Sequence, residues 1–261
     1  MVILALDTTN EKGGVAVYRG LDCLGAIAHE GPANVYSVTL FQMVDRLLSQ
    51  AQLTLREIEL YAVANGPGSF TGIRVGAAAA LAWARAFGRP VRGVSVLEAM
   101  VEQARPEADW AVPILDARRG EFFLSRFRRC GPPSDARWAM EGVPPVGSGP
   151  QGGQRTDAAV SAFEMDGEGC VLKPQALMAF FAEYLPPGAA VTCLVREHDS
   201  AARALQGILP QAYRWERIPG TLVAAIARLG LEAQRRGRLE SPAGLDAYYI
   251  RRPDAELNWR E

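Results

Sequence analysis

Apolar positions along the first hundred residues switch between a strand period and a helix period. Residues 2–6 form one continuous apolar run, and residues 14–18 and 24–28 form two more around a turn at Arg19-Gly20. Short apolar runs bounded by turn residues predict three strands. Over 37–50 the spacing becomes helical, with Leu40, Phe41, Val44, Leu47 and Leu48 on one face. A strand at 61–64, a helix at 71–87, a strand near 91–94 and a short helix from 95 to 104 complete this half.

The order is an antiparallel meander leading into parallel crossovers, which matches the ribonuclease-H-like half of an actin-like (ASKHA) α/β fold. Arg105-Pro-Glu-Ala-Asp109 is the expected boundary between an N-terminal lobe, 1–104, and a C-terminal lobe, 105–261. The second half is expected to hold strands at 111–115 and 120–128, a helix at 173–184, a strand at 191–195 and an amphipathic helix at 221–236. Leu222, Val223, Ile226, Leu229 and Ala233 face the core in that last helix, and Gly237 lies just past its end. A final element is expected at 247–251. Residues 131–158, rich in Gly and Pro, predict a long loop or irregular strands. The strand–turn–strand at 2–18 and that at 111–127 are alike in kind.

Composition narrows the function. With 261 residues, 49% hydrophobic and 22% charged, the chain has a globular profile with ample core material. A formal net charge of −1 provides no global basic field for nucleic acid. Asp7 interrupts the first apolar run too early for a secretory leader, and no run approaches the roughly 18–20 apolar residues of a membrane span. A cytoplasmic protein with no membrane association is expected. Cys23, Cys130, Cys170 and Cys193 are scattered, without a C-x-x-C pair, and read as free thiols.

The segment Asn65-Gly-Pro-Gly-Ser-Phe-Thr-Gly-Ile-Arg-Val-Gly76 joins the fourth strand to an unusually small-residue helix. It is no P-loop, because Ile73 and Arg74 follow Gly72 where a lysine and a hydroxyl are required. Nor is it a dinucleotide fingerprint, since Thr71 occupies the third glycine position. Gly72, Gly76, Ala80, Ala84 and Gly88 recur every four residues along one helix face. Glycine inside a helix costs about 0.5–1 kcal/mol, so Gly76 needs a compensating reason. A bare stripe admits the backbone of a neighbouring helix, in this chain or another.

Catalytic candidates are few. Asp7-Thr8-Thr9 and Asp116-Ala-Arg118 follow comparable strands, and two such carboxylates suit hydrated Mg²⁺ against a nucleotide; equally, they suit simple turns. Ala117, Arg118 and Arg119 replace the glycines of a tight phosphate cradle. The two histidines, His29 and His198, form no H-x-x-x-H or H-E-x-x-H pair, and His29 beside Glu30 reads as a solvated pair. Ser69 lacks the G-x-S-x-G elbow.

Residues 3–9, 66–76, 93–99, 115–121 and 249–251 together resemble the TsaB (YeaZ) family of the bacterial machinery that makes N6-threonylcarbamoyladenosine on tRNA. The resemblance is dense over 2–127 and loose over 130–215, where Val146-Gly-Ser-Gly149 carries it. It implies an actin-like fold and a non-catalytic subunit that pairs with TsaD as a heterodimer, is joined by TsaE, and reaches adenosine 37 of tRNA indirectly. It also implies a homodimer when the partner is absent. The implied pairing surface uses Phe41, Val44, Phe70, Ile73, Arg74, Val75, Gly76 and Ala80. Asp7, Thr8, Thr9, Asp116 and Arg118 become a vestigial nucleotide cleft, with no metal and no required cofactor, and ATP or ADP at most weakly or interface-bound. The rival expectations are a stand-alone actin-like ATPase or kinase and a metal-dependent glycoprotease-like enzyme.

Overall fold

The computed structural model describes residues 1–29, 31, 35–130, 162–197, 199–205, 213–239, 241, 244 and 245. The expected loop at 131–158, the motif at 146–149, the C-terminal element at 247–251, His198 and Glu30 lie outside the described residues.

The chain divides into two compact units. In the first, β1 (Val2–Asp7), β2 (Gly14–Arg19) and β3 (Asp22–Ala28) form the expected meander. They are followed by α1 (Tyr36–Gln50), β4 (Leu60–Gly66), α2 (Phe70–Phe87) and β5 (Val91–Ser95). The sheet order is β3-β2-β1-β4-β5, with β1–β2 and β2–β3 antiparallel and β1–β4 and β4–β5 parallel. This is the ribonuclease-H-like order that the element sequence implied.

Both faces of the first sheet are covered, which is why its strands are apolar without alternation. Leu4, Leu6, Tyr61 and Val63 pack under α1 and α2, against Leu40, Val44, Leu47, Ala80 and Trp83. A fully buried Leu or Val contributes about 1.5–3 kcal/mol relative to an exposed one, so this layer anchors both helices. The opposite face takes α6 (Val223–Arg235), whose Gly230 comes against Ala62 and Leu60. Gly237, at φ 64°, ends α6 in the left-handed region, and Arg238 N–H donates to the Ala233 carbonyl.

The placement of α6 corrects the expected division at residue 105. The last helix belongs to the first unit, because its apolar face (Leu222, Val223, Ile226, Leu229 and Ala233, all buried) is needed to cover the first sheet. The boundary itself falls after Ala99, inside α3 (Val96–Ala104).

The second unit repeats the first. Its strands are β6 (Trp110–Arg118), β7 (Glu121–Leu124), β10 (Cys170–Leu172), β11 (Val191–Arg196) and β12 (Arg214–Ile218), ordered β10-β7-β6-β11-β12. β10–β7 and β7–β6 are antiparallel, and β6–β11 and β11–β12 are parallel. Two ribonuclease-H-like halves in one chain constitute the actin-like fold class expected. The single strand expected at 120–128 is two: β7 ends at Leu124, and β8 (Phe127–Arg129) returns to pair with Trp110 and Ala111 of β6 and with β9 (Phe163–Met165). Ser125 and Arg126 form the break, Arg126 being turned to Asp166 and the Tyr184 carbonyl. α4 (Pro174–Tyr184) buries Leu177 and Phe181 on this sheet, and α5 (Ala201–Ala204) follows β11.

Candidate functional site

The glycine stripe of α2 faces its own chain. A Cβ at Gly72 would lie 1.9 Å from the Thr8 carbonyl oxygen, and one at Gly76 would lie 2.3 Å from Thr8 Oγ1. Thr8 Oγ1 donates to the Gly72 carbonyl (2.7 Å), and Ser69 N–H donates to the Thr9 carbonyl (2.7 Å). Ser69 caps α2 by accepting from Gly72 N–H at 3.3 Å. The bare stripe therefore lets the loop after β1 sit directly on the first turns of α2. That is the compensating reason for Gly76, and it is intramolecular.

This corrects half of the expected pairing surface. Val44, Ile73, Gly76 and Ala80 are buried in the first unit's own core and offer a partner nothing. Phe41 is 54% exposed and Phe70 38% exposed, while Arg74 is exposed and Val75 half-buried. Val38, 66% exposed, is a large apolar residue that sequence reasoning missed. Its signal was present: Val38 and Phe41 stand one turn apart on α1, off the buried stripe of Tyr36, Leu40, Met43, Val44, Leu47 and Leu48. Phe41 meets Trp83 of α2 edge-on (centroids 5.6 Å apart, planes at 79°), tying the two helices together. At the start of α2 the Arg74 guanidinium lies 3.8 Å over the Phe70 ring, which holds the cation in place on an apolar support.

The supposed nucleotide residues lie on both units. In the first unit Asp7, Thr8 and Thr9 are buried. Asp7 Oδ1 accepts Thr9 N–H (3.1 Å) and Thr9 Oγ1 (2.6 Å), a closed turn that consumes both hydroxyls offered by the loop once Thr8 is bound to Gly72. In the second unit Asp116 Oδ1 accepts Arg118 N–H (2.6 Å) and Oδ2 accepts Ser200 Oγ (2.5 Å). Asp116 N–H is shared by both Asp199 oxygens at 3.3 Å. Asp199 was not anticipated, because 83 residues separate it from Asp116.

Burial pushes the Asp199 carboxyl above its ordinary value, and the Asp116 charge adds to the effect against the N–H donors of Ala201 and Asp116. The folded chain thus holds this proton more tightly than the unfolded chain, whose carboxyl titrates at about 3.9. Stability supplied by the proton is full below that value and is lost as pH rises through the folded value. Chemical denaturation is expected to show the stability from this group rising as pH falls towards the unfolded carboxyl's value, and Asp199→Asn is expected to flatten the rise. An identical pH profile in the variant would remove Asp199 as its cause.

His29, expected to be solvated, is buried with its ring centroid 4.1 Å from that of Tyr36. Among the described residues no group of three or more His, Cys, Asp or Glu is placed to hold a metal ion, and no helix is long and apolar enough to cross a membrane. The four cysteines are free thiols.

One comparison with known proteins spans α1 and α2. The family model described as TsaD, tRNA N6-adenosine threonylcarbamoyltransferase, matches residues 30–138. The TsaB biosynthesis proteins of Haemophilus influenzae and Bacillus subtilis are 35% identical over 132 residues and 32% identical over 128. The Escherichia coli protein of the same description is 33% identical over 133. Over about half of its length the chain is similar to the TsaB (YeaZ) family. The matched segments cover 49% of this chain and 55–56% of those relatives, so the chain spans about half their length. The solved structure of YeaZ from Pseudomonas aeruginosa shares the fold along nearly the whole chain, at TM-score 0.66 and 22% identity, covering 95% of this chain and 100% of the other.

Proposed function

We propose that this chain is a non-catalytic subunit of the N6-threonylcarbamoyladenosine-forming machinery for tRNA. In this reading it docks on a TsaD-type threonylcarbamoyltransferase and brings in TsaE. The observation that carries the reading is the exposed apolar face of α1 and α2: Val38, Phe41 and Phe70, with Arg74 held beside them. Large apolar side chains grouped on adjacent helices mark an interaction surface. The face lies within residues 30–138, the stretch that matches the TsaD family model, so a partner of related fold would offer comparable helices.

The non-catalytic part of the reading draws on the closed Asp7–Thr9 turn, whose hydroxyls already have partners within the chain. ATP or ADP would then bind weakly or at an interface, and the setting would be cytoplasmic. Size-exclusion co-elution of the full chain with the TsaD-type subunit of the same organism, beside an ATP turnover assay of the chain alone, tests both parts. A one-to-one complex and no turnover are expected. Turnover by the isolated chain would favour an actin-like ATPase or kinase instead.

A further inference from the structure

The turn between β6 and β7 carries two arginines where the backbone favours other residues. Arg118 pairs with Glu121 across the hairpin, leaving Arg119-Gly120 as a two-residue loop. Both loop residues have positive φ, 58° and 72°, as a type I′ turn requires, and such turns favour Asn-Gly. Arg118 itself has φ 63° at the register shift after Asp116, a place that favours glycine. The conformation is held from outside the turn: Asp116 binds Arg118 N–H through Oδ1 and Ser200 Oγ through Oδ2, while Asp199 holds Asp116 N–H. Both arginine side chains are exposed. Local conflict of this kind, stabilised by its surroundings, is concentrated at functional positions.

We propose that the Arg118–Arg119 tip contacts phosphates of an RNA backbone; the proposal rests on the reading that the chain serves a tRNA-modifying complex. A site for a mononucleotide's phosphates brings backbone N–H groups to the anion. Here the Arg118 N–H is already bound to Asp116, so the tip offers guanidinium groups on a rigid turn. Phosphodiester recognition needs that charge and reach, and needs no cradle.

The test is tRNA binding as a function of salt, with an unmodified tRNA transcript as probe. It uses the full chain alone and paired with its TsaD-type subunit, in the parent, in Arg118→Gly/Arg119→Gly and in Arg118→Lys/Arg119→Lys. Glycine relieves the positive φ at both positions, so the first variant is expected to melt higher than the parent while binding the transcript more weakly. The slope of log affinity against log salt should become shallower by about 1.4–1.8, two phosphates' worth, and the parent's advantage should shrink about tenfold from 50 to 200 mM salt. The lysine variant should keep most of the slope.

An unchanged slope in the glycine variant overturns the proposal, as does a parent that binds no transcript at low salt in either form. Loss of ATP binding with tRNA binding intact would reassign the tip to a mononucleotide and overturn it too. Co-elution with the partner is read separately. Failure to pair counts against the proposed function, whereas the salt slope of the chain alone decides the tip.

Discussion

Gly72→Ala is expected to lower the thermal midpoint by about 10 °C, corresponding to about 3 kcal/mol for a chain of this size. The added Cβ would meet the Thr8 carbonyl oxygen at 1.9 Å, and that oxygen is fixed at the end of β1. The backbone must move, and the Thr8 Oγ1 bond to the Gly72 carbonyl and the Ser69 bond to the Thr9 carbonyl move with it. Gly76→Ala differs in kind, because its nearest obstacle is a side-chain atom, Thr8 Oγ1 at 2.3 Å, with the Thr8 Cβ at 3.5 Å. It should cost about 1–3 kcal/mol. Thr8→Ala should restore much of that loss, although by itself it forfeits a hydrogen bond worth about 1 kcal/mol. Denaturation of the double variants is expected to show that Thr8→Ala relieves the clash at Gly76→Ala, whereas at Gly72→Ala, where the obstacle is backbone, it leaves the variant well below the parent. Alanine accepted at Gly72 with an unchanged midpoint would mean that the β1 loop does not rest on α2.

Phe41→Asp, combined with Val38→Asp, is expected to weaken pairing with the TsaD-type subunit by at least about 30-fold, the effect of losing one interface hot spot of 2 kcal/mol. Both side chains are more than half exposed, so the fold should lose little beyond the Phe41–Trp83 ring contact, about 1 kcal/mol. Arg74→Glu reverses a charge seated on the Phe70 ring and should weaken pairing without unfolding. Titration calorimetry on variants with parent-like circular dichroism checks both. Parent-like affinity in the double variant would move the docking surface away from α1 and α2. Substituting Gly76 cannot serve as that test, because the core would fail before the interface was probed.

Both expectations turn on what the four-residue stripe of α2 faces. Its period is visible in the sequence, and so is the need for a close neighbour. Which neighbour comes close depends on where the loop after β1 ends, and Thr8 is 64 positions from Gly72. Phe41 illustrates the same limit. On helical spacing it belongs with Leu40, Val44 and Leu48, yet the packing of α1 leaves it outside with Val38. A hydrophobic period locates a face to within about one residue's rotation, and that one rotation separates a core residue from a contact residue.

The amino-acid sequence by itself determined the alternation of strands and helices, the fold class and the family that this chain resembles, because those rest on local periods and on dense motifs within the first 127 residues. Only the tertiary structure decided that α6 returns to cover the first sheet, that Asp199 and Ser200 hold Asp116, and that the glycines of α2 receive Thr8. Each of these joins residues far apart in the chain, and spacing carries no information about contacts that only folding creates.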